Sequence, residues 1–579
     1  MGCVLAGTPD FAHWTVRFGV FELDLKAGEL RKQGLKIKLQ KQPFQLLQML
    51  LEHPSEIVSR EALRQRIWPV DTFVDFDHGL NNAIKRLREA LCDSAVTPHF
   101  IETIPGRGYR FLASLGTTAG QIKSLAVLPL EDLLHHPEEE YFADGLTEQL
   151  ITNLAKISAL HVVSRTTVMQ YKGIRKSLRE IARELGVDGI VEGTVLRSGE
   201  RVRISAQLVN ASTDMHMWAE SYDRDLRDIL ALQSEVARAI AKEIQITLTP
   251  QEKAQLRQTR TVDPGAYEAF LKGRYHWNKR TPAAVKKGME FFQRAIEKDP
   301  TYAAAYVSLA DGAAVTGFWG FVPPEEGFGR AKSIAKKALE FEETSEAHAA
   351  LAWALLHYDF DFPASEREFR RSNDLNPGYA NGAQWYAMYL TLMGRTEEAV
   401  VEVRRALQLD PLSLIINVTL AWVYYVIRQY EEALAQCERT IELDPNFPPG
   451  RYVTGVVCEK IGMYGRGISE LEVALRLSGD APAYVAQLGA IYANAGELEA
   501  AMKVLGELQE LSQRRYVMPY YLAIIYSGLK RRDEAFYWLG KAYEEHAAWA
   551  TFTKTDPRLD GLRSDPRFDN LLRRIGFPS

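Results

Sequence analysis

The feature that most narrows the fold of this 579-residue chain is the spacing of prolines in its second half. Asn376-Pro377, Asp410-Pro411 and Asp444-Pro445 recur every 34 residues, and one more step of 34 reaches Gly479 in Leu477-Ser478-Gly479-Asp480. Asp299-Pro300 lies 77 residues before Pro377, close to two periods plus an insertion around 318–329. Within a period, Glu398-Ala399 and Ala406-Leu407 precede Asp410-Pro411, just as Glu432-Ala433 and Thr440-Ile441 precede Asp444-Pro445. Proline has no N–H and disfavours helix in the residue before it, so each Asx-Pro pair closes a helix. Small residues recur where paired helices must come close. A unit of this size cannot bury its apolar face alone, so the units must stack into an all-helical solenoid.

The 34-residue helix-turn-helix period over roughly 265–545 resembles the tetratricopeptide repeat. The segment from Thr555-Asp556-Pro557 to Ser564-Asp565-Pro566 resembles the cap that closes many such arrays. The resemblance implies a concave surface that takes a protein or peptide partner.

Ahead of the array the pattern changes twice. Residues 14–115 mix short strands with helices, the Gly/Thr run 116–120 reads as a linker, and 122–250 alternate apolar strands with amphipathic helices. The array occupies 264–579. The expected architecture is therefore multidomain: an α+β unit, an α/β sandwich and a helical solenoid. The whole chain carries a net charge of -5, yet between Arg17 and Ala113 15 Lys/Arg face 12 Asp/Glu. A basic head on an acidic body fits a nucleic-acid partner for the head alone.

Cys3, Cys92, Cys437 and Cys458 have neither metal-ligand nor disulfide-framework spacing. The N-terminus lacks the basic and apolar regions of a signal peptide. The most apolar stretch, 411–427, is short for a bilayer span of about 20 residues and falls inside a repeat. These features point to a cytoplasmic protein with no membrane segment.

In the head, helices are expected at 42–52, at 60–68 behind the N-cap Ser59, and at 78–92. A single strand is expected over 18–24, and a hairpin over 100–112 turns at Pro105-Gly106-Arg107-Gly108. On the third helix Leu80, Ala83, Ile84, Leu87 and Leu91 share one face. Asn81, Asn82, Lys85, Arg86, Arg88 and Glu89 lie on the sides and back. Amides pair with adenine edges, Arg with guanine edges, and Lys or Arg with phosphates, so this face suits a duplex DNA major groove.

This order of elements, with Val58-Ser59-Arg60-Glu61-x-Leu63, Ile84-Lys85-Arg86-Leu87-Arg88 and Ile101-x-Thr103-x-x-Gly106-x-Gly108-Tyr109-Arg110, resembles the winged-helix output domain of OmpR/PhoB-type response regulators. The resemblance implies that helix 78–92 enters the major groove and wing 100–112 the adjacent minor groove. Lys85, Arg86 and Arg88 then take groove or phosphate positions, Arg107 and Arg110 belong to the wing, and Thr103 contacts phosphate or supports the hairpin. The loop from Val70 to Asp77 matches the segment that touches RNA polymerase in relatives. Asn82 and Ala83 depart from the family's usual apolar residue and His, so no target sequence carries over. No receiver domain is expected ahead of the head. The arrangement resembles CadC-type one-component regulators with the membrane span missing, and a dimer on DNA is compatible with it.

The middle region carries Tyr141-Phe142-Ala143-Asp144-Gly145-Leu146-Thr147-Glu148, Leu185-Gly186-Val187-Asp188 and Trp218-Ala219-Glu220-x-Tyr222-Asp223-Arg224. It resembles the TolB-like (FlgO-like) domain of bacterial regulators, a likeness that brings no ligand with it. Asp144 before a helix reads as a cap, with a cation ligand as the alternative, and Trp218 and Tyr222 read as core, with stacking on a ligand as the alternative. His135-His136 reads as an exposed loop. No phosphate-binding loop, zinc motif, nucleophile elbow or paired Cys/His site occurs, so no catalytic residue, cofactor or metal is expected. The reading is a sequence-specific, one-component transcription regulator with input through the middle and repeat regions. The alternatives are an interaction scaffold whose winged helix serves only in assembly, and an enzyme centred on Asp144.

Overall fold

A computed structural model describes residues 15–577, apart from 19–20, 26, 33–34, 55, 69–75, 92, 96–97, 113–121, 135–138, 212, 257–259, 280–281 and 480. The chain divides into two compact units, one up to Ile122 and one from Lys123 onward. The Gly/Thr linker, most of the 70–77 loop, His135-His136, Cys3 and Cys92 lie outside the described residues.

The first unit opens with a four-stranded antiparallel sheet, β1 (Thr15–Phe18), β2 (Phe21–Asp24), β3 (Glu29–Lys32) and β4 (Leu35–Ile37). The strand expected over 18–24 is instead the junction of β1 and β2, with Phe18 paired to Phe21. Both phenyl rings thereby enter the core, stacked at 5.6 Å, which one continuous strand would not allow. Next come α1 (Lys41–Glu52), β5 (Ile57–Ser59), α2 (Arg60–Ile67) and α3 (Phe76–Leu91), then the hairpin β6 (Ile101–Ile104) and β7 (Gly108–Phe111). Ser59 caps α2 as expected, its hydroxyl accepting from the Ala62 N–H at 3.1 Å. The apolar face of α3 packs with Leu46, Leu50 and Leu63 into one core.

The second unit begins with β8 (Ser124–Val127), β9 (Glu131–Asp132), α4 (Glu140–Ala155), β10 (His161–Val162), α5 (Arg165–Val168) and α6 (Leu178–Leu185). It continues through β11 (Gly189–Ser198), β12 (Arg201–Asn210), β13 (Met215–Asp225) and α7 (Ile229–Glu243). The strand order is β10-β8-β11-β12-β13, parallel on the α4 side and antiparallel beyond β11, so the sheet is mixed as the element order implied. Asp144 does not cap a helix. Helix α4 starts one turn earlier, which places Asp144 inside it as an acceptor for the Lys172 ammonium at 2.5 Å. Tyr222 is buried, while Trp218 is half-buried.

From Pro264 to Glu544 the chain is a stack of helix pairs, and Phe362–Leu375, Thr396–Leu409 and Tyr430–Leu443 each end at an Asx-Pro pair. From Ala303 onward the first helix of each pair is buried over most of its length. Leu414–Val426 lies within the most apolar stretch, 411–427, and is buried from Ile416 to Val426. Among the described residues no helix is long and apolar enough to cross a membrane. The second helices are amphipathic, burying only Ala399, Val403 and Ala406 in one case and Ala433, Cys437 and Thr440 in the next.

The segment read as an end cap also runs along the inside of the stack. The short turn just before it, Ala548–Phe552, is buried throughout, and in its own turn Pro557–Leu562 the side chains of Pro557, Arg558, Leu559 and Leu562 are buried. The Trp549 ring lies against Phe318, Trp319, Trp422, Tyr452 and Tyr521, and its indole N–H donates to the Phe318 carbonyl at 2.8 Å. Arg558 and Asp556 form a buried ion pair at 2.6 Å. Arg558 also donates to Tyr452 and Gln487, and Asp556 accepts from Tyr520. The inner face that the repeat pattern leaves open is thus partly occupied by the chain's own strap.

The sheet domain and the array form one unit because polar side chains bridge them. Glu148 of α4 accepts from Arg274 and Asn278, and Arg165 lies 3.2 Å from it. Burial alone would raise the Glu148 carboxyl, but the two guanidiniums outweigh it and hold it below the usual carboxylate range. Ser164 and Thr166 donate to Asp410 at 2.7 and 3.1 Å.

Candidate nucleic-acid interface

The local sequence sets the geometry of the α3 face before any partner is considered. Gly79 on α3 lies against the Trp68 ring, which meets Phe76 edge-on, so the start of the helix is wedged against the end of α2. The wing is clamped to the body through β5, in a three-stranded sheet of order β5-β7-β6. Gly108 is obligatory there, because a Cβ would stand 2.0 Å from the Val58 carbonyl oxygen. Gly106 supplies the left-handed turn, with φ of 70°.

Two sets of hydrogen bonds then fix the wing to α3. Near the start of the helix, Arg60 donates to the Tyr109 hydroxyl and to Asn81 Oδ1, and the Tyr109 hydroxyl donates to the same Asn81 oxygen, all at 3.1 Å. Near its end, Arg88 donates to the Ile101 carbonyl at 2.7 Å and to Thr103 Oγ1 at 2.9 Å. Asn81, Arg88 and Thr103 are therefore engaged in joining the two elements. Arg110 is paired with Glu102 across the hairpin at 2.6 Å.

The remaining expected residues face outward. Asn82, Lys85 and Arg86 are exposed on one side of α3, and Arg107 is exposed at the tip of the wing. The Arg86 guanidinium reaches Gln40 Oε1. The structure thus brings Asn82, Lys85 and Arg86 to one outward surface, while Asn81 and Thr103, exposed as well, and half-buried Arg88 are held by bonds that join α3 to the wing. Sequence reasoning did not single out Arg60 or Tyr109 as site residues. Both stood within quoted motifs, but a bond linking residues 60, 81 and 109 leaves no periodicity to read. Elsewhere, no cluster of His, Cys, Asp or Glu among the described residues is arranged to hold a metal ion, and Cys437 and Cys458 are buried thiols.

Residues 34–111 match the family model described as transcriptional regulatory protein, C terminal. Residues 121–239 match the HilA/YgeH-like transcriptional regulator, second domain. The transcriptional regulator HilA of Salmonella typhimurium is 22% identical over 415 residues, covering 70% of this chain and 73% of that protein. The cholera toxin transcriptional activator of Vibrio cholerae is 35% identical over 81 residues, 14% of this chain and 28% of that one. A Rhizobium meliloti protein that carries the name of an adenylate cyclase is 37% identical over 236 residues, and the match spans 40% of either chain.

Proposed function

We propose that this chain, an OmpR/PhoB-type winged-helix domain followed by a HilA/YgeH-like second domain and a helical repeat array, is a sequence-specific transcription regulator of the one-component type. In this reading α3 enters the major groove of duplex DNA and the β6–β7 wing follows the adjacent minor groove. The observation that carries it is the outward surface of Asn82, Lys85 and Arg86, with Arg107 at the wing tip, on a helix hydrogen-bonded to its wing at both ends. An assembly module needs no such surface. A DNA reader needs cations for phosphates, amides for base edges, and a scaffold that holds both in register.

The roles divide accordingly. Asn82 and Arg86 address base edges and Lys85 and Arg107 address phosphates. Asn81, Arg88 and Thr103 hold the register, and Arg110 supports the hairpin against Glu102. The 70–77 loop is the proposed contact for RNA polymerase. The 123–579 unit receives the signal, through a protein or peptide partner on the repeats or through a ligand, and the protein works in the cytoplasm. We assign no catalysis, since the match to the Rhizobium meliloti protein takes in less than half of either chain.

The test is a salt titration of binding to a duplex captured by the intact chain. Lys85→Ala is expected to lower affinity uniformly across sequences and to reduce the salt slope by about one. Arg86→Ala is expected to lower affinity and relax sequence preference by about 1–3 kcal/mol. Parental affinity and slope in both variants would refute the groove assignment.

A further inference from the structure

The second unit holds a half-open cavity of about 410 Å³ between the sheet domain, the first helices of the repeat pairs and the strap. That volume lies within the range of about 300–1,000 Å³ typical of small-molecule sites. Six of the chain's ten tryptophans stand in its wall: Trp277, Trp319, Trp353, Trp385, Trp422 and Trp549. Close-packed cores place Leu, Ile and Phe where space must be filled, and tryptophan collects where a flat partner is held and a polar tip is wanted. Trp353 and Trp385 lie face to face, 5.5 Å apart and 16° from parallel.

Two polar groups in this wall keep donors that no hydrogen bond among the described residues takes up. The Trp422 indole N–H is only 5% exposed as a residue and has no acceptor among the described residues. Trp549, by contrast, delivers its own N–H to the Phe318 carbonyl. A buried donor left unmatched is costly, so such a group marks a place where an acceptor belongs. Arg165 is the single charged residue of the described wall. Its Nε side faces Glu148, which is also engaged by Arg274, and its Nη atoms make no hydrogen bond among the described residues. A guanidinium that lines a largely apolar wall with no carboxylate of its own, and whose Nη atoms are not taken up by protein hydrogen bonds, is matched by a planar oxyanion.

We propose that this cavity is a binding site for a small aromatic carboxylic acid. Its carboxylate is taken by Arg165, its ring system by the indole walls, and an acceptor atom on the ring system by Trp422. The strap already fills the neighbouring inner face, so the occupant is a small molecule and not a peptide. Because Arg165 belongs to the sheet domain and the indoles to the array and strap, the ligand joins the two parts of the unit.

The experiment is calorimetric titration of the full-length protein with benzoate, phenylacetate, indole-3-acetate and 2-naphthoate, each beside its neutral amide. At least one carboxylate is expected to bind with 1:1 stoichiometry, and its amide about tenfold more weakly, as loss of a charge-assisted pair requires. Arg165→Gln should erase that preference and Arg165→Lys should keep part of it. Trp422→Phe should weaken a ligand that carries a ring acceptor. The comparison of acid with amide on the unsubstituted protein needs no variant to fold. Absence of binding for all four acids up to about 1 mM overturns the proposal. So does an amide that binds as well as its acid, or a preference that survives Arg165→Gln.

Discussion

Helix α3 of the head and helix Leu414–Val426 of the array are both built around apolar positions, yet they serve opposite ends. On α3 the buried residues are Leu80, Ala83, Ile84, Leu87 and Leu91, one stripe, and the rest of the surface is left to polar side chains. On Leu414–Val426 every residue from Ile416 onward is buried, the polar Asn417 and Thr419 included. A stripe means one neighbour, and burial all round means neighbours on every side. The second neighbour here is the strap, so the array hides what the head displays. Polar chemistry follows the same division. In the head, hydrogen bonds position a surface; in the array, they satisfy groups that no solvent reaches.

The largest expected effect tests the array. Arg558→Ala leaves the Asp556 carboxylate buried without its cation. Burial raises that carboxyl and Arg558 is what holds it below the usual range. Breaking a buried pair in this way costs about 3–5 kcal/mol. Urea unfolding of the full chain should show the loss in the transition of the 123–579 unit, with DNA affinity of the head unchanged. A parental urea midpoint would mean that the strap does not support the array.

The next effect tests the wing. Gly108→Ala drives a methyl into the Val58 carbonyl, so β5 and β7 must part, at a cost of about 3 kcal/mol. The thermal transition of the head should fall and DNA binding with it. Gly106→Ala meets no neighbour and carries only the strain of a left-handed alanine, about 1 kcal/mol. Equal behaviour of the two variants would show that the close approach is not what the second glycine provides.

His357 separates the two regions by pH. Its ring is buried among Trp353, Phe328 and Phe552, with Nδ1 3.1 Å from the Ala548 carbonyl of the strap. Burial pushes its pKa down from 6.5 to about 3, against the opposing hydrogen bond to that carbonyl. The unfolded chain therefore binds a proton that the folded chain refuses between these values. Stability is fully present above 6.5 and falls as pH drops towards 3, by up to about 1.4 kcal/mol per pH unit. Urea midpoints measured from pH 7 to pH 5 should slope accordingly, and the slope should shrink in His357→Phe. An unchanged slope in that variant would place the sensitivity elsewhere.

What the sequence disclosed follows the same division between one neighbour and many. The stripe on α3, the Ser59 cap, the mixed order of the central sheet and the Asx-Pro closures were all legible, because each is local or periodic. The path of residues 548–562 was not, since Trp549 meets partners up to 231 residues away and leaves no repeat of its own. Asp144 reads as a cap because it stands with Gly145 before the apolar run from Leu146, yet α4 begins at Glu140. That glycine instead gives room to Leu271 of the array, whose side chain would lie 2.6 Å from an added Cβ. Asn81 is legible as a member of the site from its place on the polar face of the helix, and Arg88 and Thr103 from their place in motifs. That they brace the surface follows only from their bonds to Tyr109, Arg60 and Ile101.

The smallest effect is the most discriminating. Tyr109→Phe removes one hydroxyl, which accepts from Arg60 and donates to Asn81. Asn81 keeps its direct bond from Arg60, so the stability loss should be about 1 kcal/mol, the net value of a single hydrogen bond. Tyr109 is buried and offers nothing to a phosphate. If α3 and the wing act as one rigid reader, loosening this joint should lower DNA affinity several-fold while leaving the salt slope at its parental value. Lys85→Ala should do the reverse, changing the slope by about one with no measurable effect on folding. Measured side by side on the full chain, the two variants separate register from contact. A slope change in Tyr109→Phe would mean that the joint itself lies on the backbone path. An unchanged affinity would mean that the wing and α3 bind independently, and that the bonds joining them serve stability alone.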